Sequence, residues 1–398
     1  MAPTRTSKPT PPARTAPVTP CPESTPVAPR DPERASDRPP GRWRQARTQA
    51  GMAAAFLAPG RRFRPFKITA VLTERCHLRC EFCNLWKEPD DGARTDEWIE
   101  FFRRNRGFRW IDLTGGEIFA RPKLDRILES LLDFQPRLAL LAFPTAGQIP
   151  AKIEGTVQKL IASRLSRLGV TVSIDGGPAL HDRIRGVEGA FERAIDTYSR
   201  LRVLRSKRFS VQVGCTLTEE APEQYESLRD ALKQRFADFD DRELHFNLAH
   251  TSGHYYHNED YDSLPGDPAL DIVETTKRRQ GLSAWIEWIY GSLARRGLAE
   301  NFPPMGCEAI RKTLFIRPDL SVYPCSIWDR SLGNLRDHDL DLSQLLRTAA
   351  VAEAREVVDA RACPGCFTPC EAVPAILSHP LTASVLAYRE HRRIRRSS

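Results

Sequence analysis

Between about Lys67 and Ala249, short apolar runs alternate with stretches of helical period. The runs KITAVL, FRWIDLT, LALLAF, VTVSID, SVQVGCTL and ELHFNLA have strand length and are rich in β-branched and aromatic residues. The intervening stretches Asp125–Asp133, Ala151–Arg167, Ala190–Val203 and Pro222–Phe236 carry helix-like patterning. Six such alternations predict an α/β fold of parallel strands joined by crossover helices. Asp267–Leu298 predicts one or two helices leading away from that unit. Beyond NFPPMGCEAI the composition changes: TLFI, the turn-like RPDL and SVYPC predict a β-hairpin, and LGNL and a helix follow.

The first 60 residues differ. They hold 13 of the chain's 31 prolines, with Ser, Thr and Arg between them. Such a segment buries too little apolar surface to offset its ordering entropy and is expected to be disordered, apart from a short helix over Met52–Gly60. Length and composition therefore divide the 398 residues into a tail (1–60), an α/β unit (61–300) and a small cysteine-rich region (301–398).

Charge adds little. The net charge is +8, but the tail supplies nine Arg/Lys against four Asp/Glu, so the remainder gives no reason to expect nucleic acid. The basic ending YREHRRIRRSS is expected to be a solvated helix face. No apolar stretch reaches the ~20 residues a membrane span needs, and the amino terminus is polar and Pro-rich, so a cytoplasmic protein is expected. Ten cysteines without a secretory signal point to metal or catalysis before disulfides.

The cysteines carry the chemistry. Cys76, Cys80 and Cys83 stand as CxxxCxxC in TERCHLRCEFCNLW, just after the first apolar run. Iron–sulfur cubanes normally take four Cys, so three thiolates leave one iron open to a non-protein ligand. Zinc is the alternative for a short Cys-rich tract, although zinc pairs usually read CxxC with a second pair or His residues following. The segment resembles the signature of the radical S-adenosylmethionine (SAM) superfamily, with Phe82 as the aromatic before the third Cys. The resemblance implies a partial (β/α)6 TIM-like barrel, a [4Fe–4S] cluster whose open iron is chelated by SAM, and one-electron cleavage of SAM to a radical that abstracts hydrogen. It also implies an outside electron donor such as flavodoxin or ferredoxin.

Two further segments match that family. In WIDLTGGEIFARP, the residues Gly115, Gly116 and Glu117 resemble its GGE motif, whose backbone and carboxylate receive the SAM ammonium. In VTVSIDGGPALHDRIRG, the residues Ser173, Asp175 and Arg185 resemble positions near the ribose or carboxylate of SAM. All three motifs follow predicted strands, at the face where barrels of this kind carry their sites. Where relatives often have Asn–Gly, this chain reads FPTAG, and Thr145 is expected to replace little of an Asn's hydrogen bonding.

Cys307, Cys325, Cys363, Cys366 and Cys370 form a second set. It resembles the SPASM or twitch domains that hold auxiliary [4Fe–4S] clusters, whose full form uses seven Cys. Five Cys, and Leu320 where a Gly is usual, imply the single-cluster form, with four ligands and Cys370 the least expected of the five. A zinc ribbon is the alternative for Cys363–Cys366. The loop after the sixth strand, with His250, His254, Tyr255, Tyr256 and His257, is expected to pack and cap, with substrate contact the less common role. Cys215 reads as a small buried hydrophobe.

The expected activity is therefore that of a radical SAM enzyme acting on a small-molecule or carrier-bound substrate. The alternatives are maturation of a ribosomally made peptide or, from a different class, a non-enzymatic iron–sulfur or zinc scaffold. The head shows no pattern for a leader-binding domain, which tilts the expectation away from peptides.

Overall fold

The computed structural model describes residues 39–58, 65–89, 92–275 and 282–397. Six parallel strands follow in chain order, β1 (Lys67–Val71), β2 (Trp110–Thr114), β3 (Leu140–Thr145), β4 (Leu168–Ser173), β5 (Phe209–Leu217) and β6 (Leu244–Leu248). Ahead of them lies α1 (Arg42–Leu57); between them lie α2 (Thr95–Arg104), α3 (Leu124–Phe134), α4 (Pro150–Ala162), α5 (Pro178–Arg185), α6 (Ala190–Arg202) and α7 (Ala221–Arg235). These are the parallel strands and crossover helices that the alternation predicts, in the α/β partial (β/α)6 barrel that the family resemblance implies. Its β4–β5 connection holds two helices, the first of which, α5, carries the HDRIR segment that was not expected to be helical.

The strands are two-faced. Ile68, Ile111, Leu113, Leu141, Phe143, Val170, Val172, Val213 and Phe246 are buried and share one core with helix residues such as Trp98, Phe101, Ile127 and Phe191. On β4, β5 and β6 the alternate positions are mostly polar: Thr171 and Ser173 on β4, Ser210 and Gln212 on β5, His245 and Asn247 on β6, all half-buried. Side chains alternate faces along a strand, so the helices take the apolar face and the polar face lines a lumen. Fully parallel sheets usually bury both faces; the polar inner face marks space for a ligand. Cys215 lies on the helix side and is fully buried, as expected.

The tail expectation is corrected in part. Residues 1–38, 59 and 60 lie outside the described residues, but α1 starts at Arg42, ten residues before the expected short helix. After Pro39–Pro40 the sequence has no proline until Pro59 and is rich in Ala, Arg and Gln, all good helix formers. Ala55 and Phe56 are buried, and the Phe56 ring meets Phe66 and Trp110 edge-on.

The expected helices over Asp267–Leu298 are α8 (Asp267–Thr275) and α9 (Leu282–Ala299). The hairpin is β7 (Thr313–Ile316) with β8 (Ser321–Tyr323), and β9 (Gly333–Asn334) extends it. β7 pairs in parallel with β1, so the cysteine-rich region continues the barrel sheet as nine strands in the order β6-β5-β4-β3-β2-β1-β7-β8-β9. Leu320 takes the left-handed backbone (φ 68°) that a glycine would adopt freely in this turn. Its side chain is fully buried, and that burial offsets a backbone cost of ~1–2 kcal/mol. Then come α10 (Leu342–Leu345), α11 (Ala349–Asp359), α12 (Pro369–Ser378) and α13 (Pro380–Ser397). Among the described residues no single helix is long and apolar enough to cross a membrane.

At the entry to β6, Glu243 accepts from Tyr198 (2.5 Å) and Arg202 (2.8 and 2.9 Å) and pairs with Arg205. Burial raises its pKa, but these bonds outweigh burial and hold it at about 2 against an ordinary 4.5. A carboxylate held low adds stability above its ordinary value and loses it as pH falls through the lower one. Urea unfolding midpoints should therefore fall between pH 4.5 and about 2 in the wild type. The Glu243→Gln variant should show a smaller fall over the same range.

Candidate functional site

The Cys loop, residues 72–89, leaves β1 at the carboxyl end of the sheet. It has no strand pairing, and its form comes from bonds to three other segments. Gly116 and Glu117 donate backbone N–H groups to the carbonyls of Thr73 (2.9 Å) and Arg75 (2.8 Å). Arg79 and Glu81 donate to the carbonyls of Arg185 (2.9 Å) and Ile184 (3.0 Å) at the end of α5. Asn84 donates to Tyr256 and His257, and Asn258 donates to the Phe82 carbonyl.

Cys76, Cys80, Phe82 and Cys83 gather around Leu78, Ala146 and Ala190. Burial pushes the Cys76 thiol up to about 11 and the Cys83 thiol up to about 12. A metal must therefore displace their protons on binding. The Cys76 sulfur accepts the Leu78 N–H (3.4 Å), and the Cys80 sulfur accepts from the Arg185 Nη1 (3.5 Å). Hydrogen bonds to sulfur favour thiolate and tune an iron–sulfur potential.

The GGE segment does something the sequence did not predict. Gly115 has φ 148°, and a Cβ there would lie 2.3 Å from the Thr73 carbonyl oxygen; one on Gly116 would lie 2.4 Å from that of Arg75. The glycines admit the backbone of the Cys loop itself. Glu117 is 2% exposed, and its carboxylate accepts from Thr145 (3.0 Å), the Ala146 N–H (2.7 Å) and the Phe119 N–H (3.2 Å). Thr145, set aside on sequence grounds, thus ties β3 to this carboxylate, and it also accepts the Gly147 N–H (3.1 Å). Comparing Thr with Asn as donors to a ligand missed that a hydroxyl also serves a neighbouring carboxylate.

The SIDG and HDRIR segments form one buried unit. Asp175 is fully buried; it accepts the Thr216 N–H (2.8 Å) and pairs with the Arg185 Nε (2.5 Å). Burial opposes the Arg185 charge, but Asp175 and the Cys80 sulfur outweigh it and keep it protonated. The guanidinium also lies 5.4 Å from the centre of the Phe82 ring. His181 accepts the Asp175 N–H through Nδ1 (3.0 Å), and Asp182 caps the start of α6 at Gly189 and Phe191. Gly186, at φ 65°, lets α5 end against Arg79, whose carbonyl a Cβ would meet at 2.6 Å. Ser173 ends β4 half-buried on the lumen face.

Of the second cysteine set, the structure brings four together. Cys307, Cys325, Cys363 and Cys366 line one small cavity with Phe302, Trp328 and Glu371. The Cys307 sulfur accepts the Ala309 N–H (3.4 Å) and the Cys325 sulfur the Trp328 N–H (3.3 Å). Burial pushes Glu371 up to about 7, against the pull of Lys67 and Thr313.

Cys370, the fifth expected ligand, is placed elsewhere. It faces Lys67 and Asp112, with Tyr255, Tyr256 and Tyr290 in electrostatic range. Starting α12 one turn after Cys366 swings it away from the cavity. Lys67 and Asp112 pair at 3.1 Å on the inner face of β1 and β2.

Among the described residues, no three His, Cys, Asp or Glu side chains are arranged to hold a single metal ion. Zinc draws its sulfur donors in to ~2.3 Å, whereas a cubane takes one thiolate per iron and keeps them apart. The two cysteine sets, three thiols in one loop and four around one cavity with N–H groups aimed at sulfur, have the donor chemistry to hold iron–sulfur clusters.

Residues 70–232 match the family described as the Radical SAM superfamily. The subtilosin biosynthesis protein AlbA of Bacillus subtilis (strain 168) is 24% identical over 68% of this chain and 57% of its own length. The AdoMet-dependent heme synthase of Methanosarcina barkeri (strain Fusaro / DSM 804) is 34% identical over 39% of this chain and 43% of its own. The chain thus spans about half the length of these curated relatives. The structure of Streptococcus suis SuiB covers 82% of this chain and 76% of its own at a TM-score of 0.52 and 15% identity, a likeness of fold. The matched span runs from within β1 to within α7 and holds the three motifs at one end of its strands, so this part of the chain is similar to a Radical SAM superfamily domain, a likeness that implies a [4Fe–4S] cluster and SAM.

Proposed function

We propose that this protein is a radical SAM enzyme that modifies a peptide, with Cys76, Cys80 and Cys83 holding the SAM-binding cluster and Cys307, Cys325, Cys363 and Cys366 one auxiliary [4Fe–4S] cluster. The observation that carries the proposal is the pair of cysteine sets, three thiols in a loop pinned from three sides and four lining a separate cavity. When bound, the cluster and SAM supply one-electron cleavage of a C–S bond and hydrogen-atom abstraction from substrate.

The chain's own residues prepare that chemistry. Arg185, charged and locked by Asp175, sets a positive group against the Cys80 sulfur and favours thiolate. Asp175 acts through Arg185, since its own carboxylate is enclosed. Glu117, held by Thr145, Ala146 and Phe119, fixes the Gly115–Gly116 backbone; SAM would meet that backbone, Phe82, Ser173 and the remaining Arg185 N–H groups. The half-buried polar lumen receives the substrate. Nine described cysteines are unpaired, which suits the reducing cytoplasm, where an electron donor such as flavodoxin or ferredoxin is at hand.

The relatives supply the peptide. AlbA is named for bacteriocin biosynthesis, SkfB of Bacillus subtilis (strain 168) for maturation of a sporulation killing factor, and SuiB is solved with its precursor peptide SuiA. These outweigh the sequence-based tilt toward a small molecule. A small-molecule substrate stays as the second proposal because the heme synthase has the higher identity over a shorter span.

Anaerobically loaded protein given dithionite and SAM should release 5′-deoxyadenosine. The Cys76→Ala, Cys80→Ala, Cys83→Ala triple variant should release none while keeping about half the iron, as one of two cubanes remains. Release of 5′-deoxyadenosine by the triple variant would refute the assignment of these thiols. Asp175→Asn leaves a buried guanidinium unpaired and should lower stability by ~3–5 kcal/mol in urea unfolding, with a parallel loss of SAM cleavage. Loaded enzyme incubated with a short peptide encoded beside its gene should change that peptide's mass in a SAM-dependent way; turnover of small molecules alone would favour the second proposal.

A further inference from the structure

The loop between β6 and α8 carries a set of polar side chains with an unusual distribution of bonds. Ser252, His254 and Asn258 are 3%, 3% and 2% exposed. Connecting loops normally keep such groups at the surface, and burying them is costly unless each finds a partner. Each finds one, and the partners are backbone carbonyls at or beside cysteines. Asn258 donates to the Phe82 carbonyl (2.8 Å), next to Cys83. His254 Nε2, facing a carbonyl and so the donor, bonds the Cys325 carbonyl (3.0 Å). The Ser252 hydroxyl donates to the Ser326 carbonyl (2.6 Å).

The loop is also braced within itself. Asn258 accepts the Ser252 N–H (2.9 Å) and donates to the His250 carbonyl (3.1 Å), and Ser252 accepts the Tyr255 N–H (3.3 Å). The His254 ring stacks on Tyr323 of β8 at 4.2 Å and meets Phe315 of β7 edge-on. Tyr255 bonds Thr114 of β2 through its hydroxyl (2.8 Å) and packs against Phe315. One short segment therefore grips the Cys loop at one end and the Cys325 loop at the other.

We infer that Ser252, His254 and Asn258 are positioning residues, a strut that fixes the Cys76–Cys83 loop relative to the Cys325 loop and so sets the spacing between the two clusters. The inference rests on the cluster assignments under Proposed function. Because the bonds run to main-chain oxygens, the strut holds the path of both loops whatever their side chains, and cutting it should alter the relation between the sites before it empties either.

The test uses full-length protein with both sites loaded and reduced, read by electron paramagnetic resonance for spin–spin interaction between the clusters. His254→Leu removes the donor. It should change that interaction, as a shift in power saturation and line broadening, with iron content equal to wild type. His254→Gln keeps an amide N–H near the Nε2 position and should restore the wild-type signal. Ser252→Ala, which removes the bond to Ser326 and the one from Tyr255 with little change in volume, should change the interaction in the same direction and serves if His254→Leu does not fold. Wild-type coupling in both His254→Leu and Ser252→Ala overturns the strut while leaving the cluster assignments standing. A wild type that loads only one cluster overturns the assignments, and the strut with them.

Discussion

Three thiols set in a loop of eight residues cannot hold their own arrangement. The loop from Cys76 to Cys83 has no ladder of its own, and the thiols repel one another once deprotonated. Everything around it answers that constraint. The GGE turn reaches it from β2, the end of α5 from β4, and the loop after β6 from the far edge of the barrel. Each contact is a main-chain bond or ends on a main-chain oxygen, so the loop's path is fixed by backbone and its side chains stay available.

The same constraint explains the glycines and the buried charges. Gly115, Gly116 and Gly186 stand where backbones touch, at separations that leave no room for a Cβ. Asp175 and Arg185 form a buried ion pair, which is a poor source of net stability but strongly penalises the loss of either partner. That pair is tolerable because Arg185 also serves the Cys80 sulfur and Asp175 also caps the end of the β4–β5 ladder at Thr216. Position, more than energy, is what the pair contributes.

The β7–β8 hairpin joins the barrel to the second cysteine set. Because β7 adds to β1 in the same sheet, the hairpin that leads into Cys325 is an extension of the barrel. Cys370 faces the Lys67–Asp112 pair of the barrel. Cys363 and Cys366, which line the cavity, stand in one short sequence with Cys370, which does not, and the start of α12 separates them.

Local order was legible in the chain itself. Alternation of apolar runs with helical period specifies strands, helices and their parallel arrangement, because burial pattern and period are properties of neighbours in sequence. The CxxxCxxC spacing likewise names its chemistry, since three sulfurs that close must act together. What the residues of GGE and HDRIR do was decided only in three dimensions. Glu117 commits one oxygen to the end of β3, Thr145 proves a partner where it looked dispensable, and Asp175 is taken up by Arg185 and the Thr216 N–H. The separation of Cys370 from its four neighbours, and the bonds from Ser252, His254 and Asn258, join residues far apart in the chain. A hydrogen bond between distant segments leaves no period and no spacing to read; it exists only once the sheet has brought both ends together.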